Sequence, residues 1–438
     1  MMRDLWDALP IWSQDLLGVA VLLLPLGAVG FWLLRGYAPW PLVRALLRRF
    51  RWTNLLFVAL IAVSVGMSIG LIAQERGLRA GSARAADKFD LIVAAPGSEM
   101  TMLLATVFLQ PSDVGLLDGE TYDRIARTET VEIAAPLAYG DSYQGAPLVG
   151  TIADFVTYLA DDRIEGRIWQ DHDEAVVGAL VPLEIGARFA PAHGVGEAAD
   201  EHAHEHADFT VVGRMARTGT PWDRAILVPV EAVWEVHGLS NGHAPEAEEA
   251  IGPPFDPAQF PGTPAVVVKA SALWANYALR DQFTQTGRSM AFFPGTVLAQ
   301  LYAVMGDVRQ AMSLMSVVTQ VLVAASVLTG LLILTRLFRR QIAMLRALGA
   351  PRRFVMAVVW SQATALLIAG VLAGVLLGVG ATAALSAVLS ARTDMVIRAS
   401  LGWGEIRLAA CFLSVTTVLS LLPALSVLRQ PVSEGLRS

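Results

Sequence analysis

Seven histidines stand at positions 172, 193, 202, 204, 206, 237 and 243, all within residues 75–309. Three of them fall in EHAHEH at residues 201–206, with Asp200 and Asp208 on either side. On a helix His202 and His206 share a face, and on a strand His202, His204 and His206 do. Neutral imidazole suits zinc, copper or nickel, and nearby carboxylates help to hold a dication. His193, upstream of the tract, and His237, downstream, are further candidate ligands, whereas His172 and His243 read as surface or core residues. The string from His202 to His206 also matches H-x-x-E-H, a zinc-peptidase pattern. In a tract this rich in His and Glu the match is nearly free, and no long amphipathic helix carries it. The plain alternative is a solvated acidic loop that holds nothing.

Other chemistry is excluded by what the chain lacks. Its only lysines are Lys88 and Lys269, preceded by Asp87 and Val268. A P-loop needs Gly directly before its Lys, so ATP is not bound here by that route. The single cysteine, Cys411, permits neither an intrachain disulfide nor a Cys-based zinc site. Of the 438 residues 54% are hydrophobic and 16% charged. Soluble domains carry about 25% charge, so the balance points to a membrane protein.

The apolar residues are gathered into five uncharged runs, 16–34, 52–74, 310–335, 354–391 and 408–428. Each reaches the roughly 20 residues that cross a bilayer as a helix. The fourth, as a helix, is about 57 Å long, so one end must project from the ~30 Å hydrocarbon core. The connections 35–51 and 336–353 and the tail 429–438 hold 13 basic residues and one acidic, whereas 75–309 holds 16 basic and 33 acidic. Arginine-rich connections stay in the cytoplasm, which puts 75–309 and the N-terminus outside and the C-terminus inside. Residues 1–15 carry Arg3 against Asp4, Asp7 and Asp15, the wrong charge for a signal peptide, so run 16–34 is expected to remain as a span.

The implied organisation is an α-helical membrane protein with an α+β extracytoplasmic domain. Residues 1–35 hold the first span, 36–51 a cytoplasmic basic amphipathic segment, and 52–74 a second span that continues outward as a stalk. Residues 75–309 form the outer domain, with a His-rich loop at 193–208, and 336–353 connects the third and fourth spans. Within the outer domain, strands are expected at 90–94, 132–135, 175–177, 209–212, 225–228 and 265–268. Helices are expected at 119–128, 271–286 and 296–309, and the five prolines of 252–264 mark a loop. Gly66 and Gly70, and Gly370, Gly374 and Gly378, are spaced by four within spans, a pattern that lets helices approach closely, inside a bundle or across a dimer. The acidic outer domain disfavours nucleic acid.

Residues 339–353 read RRQIAMLRALGAPRR. Ile342, Leu345, Leu348 and Gly349 fall on one helix face, beside Arg339, Arg340 and Arg346. Such a helix can lie at the membrane surface and dock on a soluble partner, or its arginines can serve topology alone. The segment resembles the cytoplasmic coupling segment of FtsX/MacB-type ABC permeases, a basic pair followed by E-I-A-x-L-R-A-L-G-A. The ending, Pro423-Ala424 to Pro431 and then Leu436-Arg437, and the basic residues from Arg44 to Arg51 are similar to that family too. So is the layout of one span, a large outer domain and three spans, to which run 16–34 adds one. Gln341 departs from the family's Glu. FDLIVAAPGS at 89–98, TGTP at 218–221 before Asp223-Arg224, and WEVH at 234–237 are similar to a branch in which some members carry His-rich loops and accompany zinc-regulated genes.

The resemblance implies a multi-pass protein of the bacterial inner membrane, in contact with lipid, paired with a second permease. A separate ABC ATPase would bind ATP and press on the coupling helix 339–350, moving the outer domain. Cargo or a periplasmic metal-binding protein would meet that domain, with zinc at the His-rich loop. The alternative is a mechanical permease for lipoprotein or peptide export, or for activating an envelope hydrolase, with no metal role. Catalytic residues are not expected.

Overall fold

The computed structural model describes residues 10–110, 112, 114–194, 208–247, 249–284, 287–337, 339–393 and 400–428. Among them the chain runs through α1 (Ile11–Leu34), α2 (Trp40–Arg49), α3 (Arg51–Ala86), β1 (Leu91–Ala94), α4 (Glu99–Thr106) and α5 (Gly119–Ala126). Next come β2 (Val131–Tyr143), β3 (Ala146–Thr151), α6 (Ala153–Leu159), β4 (Ile164–Gly166), β5 (Glu174–Val177), β6 (Arg188–Phe189) and β7 (Ala192–His193). Then follow β8 (Phe209–Met215), β9 (Ile226–Pro229), α7 (Val230–Val236), β10 (Ala265–Ala270), α8 (Leu273–Thr284) and β11 (Met290–Phe292). The chain ends in α9 (Pro294–Leu337), α10 (Arg339–Ala347), α11 (Arg352–Thr393), α12 (Trp403–Leu419) and α13 (Leu421–Leu428). These elements form two compact units, one of Met1–Leu78, Asp307–Ala387 and Arg398–Ser438, the other of Arg79–Gly306 and Val388–Ile397.

The first unit is helical. Among the described residues four helical stretches are long and apolar enough to cross a membrane: Ile11–Leu34, Arg51–Ala86, Arg352–Ser390 and Trp403–Leu425. The fifth expected run, 310–335, lies inside α9, where the described residues include a shorter apolar stretch, Val317–Gly330. Lipid is as apolar as leucine, so helices in a bilayer are held by close packing and polar contacts and not by the hydrophobic effect. Ile61, Val65 and Ile69 of α3, Val323 and Val327 of α9, Ala363, Leu367 and Val371 of α11, and Ala409 and Phe412 of α12 form one buried cluster. Glycines set its spacing. A methyl on Gly374 would stand 2.8 Å from Val65 Cβ, and one on Gly66 would stand 3.1 Å from the Gly374 carbonyl. Gly370 and Gly378 meet Ile61 and Ile69 in the same way. A second cluster joins Leu33 of α1 to Met356, Ala357, Val359 and Trp360 of α11 and Ala424 of α13.

Two helix starts differ from the uncharged runs. α1 takes in Asp15, and α12 starts at Trp403, ahead of Glu405 and Arg407. Pairing explains why charge does not end these helices. Arg407 and Asp15 form an ion pair between α12 and α1. Arg76 Nη2 of α3 donates to Glu405 Oε1 at 2.6 Å, and the Glu405 side chain is wholly buried. A buried carboxylate is tolerated only with such partners. The last run also breaks at Ser420, whose hydroxyl donates to the Thr417 carbonyl (2.7 Å).

The second unit is built on a mixed sheet in the order β11-β1-β10-β2-β3-β9-β5-β8-β4, with β6 beside β8 and β7 beside β2. The pairings are antiparallel except β3 with β9 and β5 with β8. β1 and β9 are buried at every position, and β8 alternates buried with half-buried residues, as a strand with one covered face must. Phe89, Phe155 and Trp222 pack edge to face beside β1. The proline-rich stretch 252–264 is largely loop, and it supplies Phe255 and Phe260 to an aromatic cluster with Tyr122 and Trp234.

Candidate functional site

Two places carry candidate residues. In the first unit α10 follows α9 directly. Its end is a Schellman turn: the Gly349 N–H donates to the Arg346 carbonyl (3.1 Å) and the Ala350 N–H to that of Leu345 (3.0 Å). Gly349 sits at φ +94°, a region that suits glycine, and Pro351 prevents the helix from continuing. Ala343 faces inward at 5% exposure, whereas Leu348 is 86% exposed. Met344, one turn before Leu348, is also exposed. Among its described side chains, the apolar face that α10 leaves open is therefore Met344 with Leu348, while Leu345 and Arg346 are half-buried. Met344 was not among the residues singled out in the sequence, because a face drawn through Ile342, Leu345 and Leu348 passes it by. The side chains of residues 339–342 lie outside the described set.

In the second unit the histidines separate. His202, His204 and His206 lie outside the described residues. Among the described residues no group of three or more His, Cys, Asp or Glu side chains is placed to hold a metal. His243 is buried, with Nε2 3.4 Å from Glu231 Oε1. Burial pushes the Glu231 carboxyl above the usual range, against the hydrogen bonds and the His243 charge that lower it. His172 Nδ1 lies 3.2 Å from Glu235 Oε2. His237 has a different neighbour. Its Nδ1 is 2.7 Å from the Val233 carbonyl and its Nε2 is 3.7 Å from Oδ1 of Asp141, a carboxylate with no exposed surface. Backbone pairing of β7 with β2 sets His193 opposite Asp141. Asp141 escaped the sequence reading because nothing local marks it, and only the fold brings positions 141, 193 and 237 together.

TGTPWDR is structural. Asp223 Oδ1 accepts from the Thr218 N–H and hydroxyl, both at 2.7 Å, and Oδ2 accepts from the Gly219 N–H at 2.8 Å. FDLIVAAPGS supplies β1 and then Ser98, which caps α4 by accepting from the Thr101 N–H at 3.3 Å.

Comparison with known proteins bears on the first unit. Residues 313–432, which include α10, match the FtsX-like permease C-terminal family. No curated protein matches the chain. Among solved structures, the extracellular domain of the noncanonic ABC-type transporter YknZ from Gram-positive bacteria is similar at 12% identity, over 46% of this chain and 98% of that one, with a TM-score of 0.25.

Proposed function

We propose, from the match of residues 313–432 to the FtsX-like permease C-terminal family, that this chain is an FtsX-like permease that transmits the work of a separate ABC ATPase to its outer domain. By this reading the chain is a multi-pass membrane protein and the permease subunit of an ABC transporter. In the proposed arrangement five helices span the inner membrane of a bacterium, with the arginine-rich connections in the cytoplasm. The ATPase docks on α10, and its ATP-driven closure moves α10 and, with it, α9 and α11. α9 and α3 carry that motion outward. A second permease copy completes the pair that an ATPase dimer needs. The observation that carries this reading is the exposed Met344–Leu348 face, held by a glycine-terminated turn inside the matched residues. An exposed leucine on a short arginine-bearing helix is poorly placed in water and well placed in a partner's groove. The outer domain, by the same reading, handles a divalent metal such as zinc, for which the His-rich tract at 201–206 is the candidate.

A photo-crosslinking residue at position 348, in the full chain and in cells, tests the docking. The expected adduct is with an ABC ATPase and is absent when the crosslinker is moved to Gln144 of the outer domain. Absence of the adduct at 348, or adducts of equal yield at both positions, contradicts the reading.

A further inference from the structure

One face of α1 does not close on its neighbour. Leu26, Gly27, Gly30 and Leu34 share that face and line a groove against α11, within the helical unit. Gly30 marks the near approach, where a methyl would stand 3.1 Å from the Trp360 ring. At Gly27, one turn earlier, a methyl would meet nothing within 4 Å. The groove encloses about 480 Å³, its wall is almost wholly apolar, and it runs from Leu26 to Leu34 on α1 and from Trp360 to Ile368 on α11. At a rise of about 1.5 Å per residue either stretch is about 12 Å long. Trp360 is fixed in the wall, its Nε1–H donating to the Thr417 carbonyl of α12 at 3.2 Å. Gly27 is exposed, so the groove is reached from the side.

The connector 35–39 closes the end of the groove nearest the arginine-rich connections. Gly36, at φ +84°, turns the chain there, and the Tyr37 N–H donates to the Leu34 carbonyl at 3.0 Å. Two arginines stand at that end. Arg35 falls between the wall residues Leu34 and Tyr37, and the Arg353 guanidinium lies over the rings of Trp32 (5.3 Å) and Tyr37 (5.9 Å). Stacking on rings holds a guanidinium without neutralising it. Arg353 Nε has no hydrogen-bond partner among the described residues, and neither connection, 35–51 or 336–353, holds an acidic residue. An apolar groove with unneutralised arginines at one end is complementary to a molecule with a phosphate on a hydrocarbon chain. Only 6% of the apolar window of α1 is buried inside the molecule, against 39–50% for the other three described candidate spans, so most of what covers α1 comes from outside the chain.

We propose that the groove between α1 and α11 holds an acyl chain of one anionic phospholipid, with its phosphate on Arg35 and Arg353. The lipid belongs to the leaflet that faces the arginine-rich connections, and it fills the gap that Gly27 leaves between α1 and the bundle. The inference rests on α1 and α11 spanning the membrane and is independent of what docks on α10.

The test is native mass spectrometry of the delipidated full-length protein, released from detergent after titration with dioleoyl phosphatidylglycerol or, separately, dioleoyl phosphatidylethanolamine. Wild type is expected to retain one phosphatidylglycerol per chain, bound about 10-fold more tightly than phosphatidylethanolamine. Gly27→Trp sets a large side chain in the groove and is expected to weaken phosphatidylglycerol binding at least about 10-fold. Gly380→Trp, at a position of α11 where a methyl also meets nothing within 4 Å but outside the groove, is expected to bind as wild type does. Arg35→Gln combined with Arg353→Gln is expected to keep phosphatidylethanolamine binding and to erase the preference for phosphatidylglycerol. Thermal unfolding of the delipidated variants separates a filled groove from a lost fold. Equal binding by wild type and Gly27→Trp, equal loss in Gly27→Trp and Gly380→Trp, or a preference for phosphatidylglycerol that is absent from wild type or kept by the double arginine variant would each overturn the proposal.

Discussion

Asp223 shows how one buried carboxylate organises a loop. It accepts from two backbone N–H groups and a hydroxyl, and it is wholly buried. Asp223→Ala strands those donors, and the expected cost is about 2–4 kcal/mol. Urea unfolding of the purified protein measures it, and a change under about 0.5 kcal/mol, the level of an ordinary surface substitution, would deny the loop its anchor. Glu174 makes a pH prediction. The Arg167 guanidinium, hydrogen-bonded to it, holds the Glu174 carboxyl below the usual range, with the Gln170 N–H adding to the effect. Between the two pKa values the unfolded chain binds more protons, so stability rises with pH through that window. The contribution is whole above the ordinary carboxylate value of 4.5 and is lost as pH falls through the folded value. The stability gap between wild type and Glu174→Gln should therefore narrow between about pH 6 and about pH 3. A gap that stays constant would mean that the pair does nothing for the fold.

At the scale of elements, what the sequence made legible follows from periodicity. Long uncharged runs marked α1, α3, α11 and most of α12, because nothing but a bilayer demands twenty apolar residues in a row. Strands at 91–94, 174–177, 226–229 and 265–270 stood out as short apolar runs between turn residues. β4, β6, β7 and β11 did not, since strands of two or three residues carry no alternation to read. α4, α6 and α7 are helices of seven or eight residues, too short for a clear stripe. The His-rich tract at 201–206 was conspicuous and the placing of Asp141 was not, because a bulge is a property of the pairing between two strands. The glycines were legible as a spacing, and the structure supplies what they meet. Gly374→Leu would drive a side chain into Val65 and the Ala62 carbonyl, whereas Gly380 faces open space. Gly374→Leu is expected to cost about 1–3 kcal/mol, read as a lower unfolding temperature in detergent, with Gly380→Leu near wild type. Equal effects at the two positions would remove the case for close approach of α3 and α11.

The molecule as a whole is organised by charge. Basic residues outnumber acidic ones 13 to one in the three segments assigned to the cytoplasm, and acidic outnumber basic 33 to 16 in residues 75–309. That asymmetry predicts which segments an impermeant thiol reagent reaches in intact cells. In a Cys411→Ser background, a cysteine at Gln144 is expected to label and one at Leu348 to label only after the membrane is opened. The reverse pattern would invert the topology and place α10 where no ATPase could reach it.

The central claim is that an ATPase works through α10. The most direct measurement is ATP turnover by the purified permease–ATPase complex in lipid nanodiscs, with wild type compared with Leu348→Asp. Leu348 is 86% exposed, so the substitution spares the permease fold while setting a charge against an apolar groove. The account predicts that the ATPase dissociates, or that its turnover falls at least about 10-fold, which corresponds to roughly 1.4 kcal/mol of lost coupling. A stable complex with unchanged turnover would contradict it.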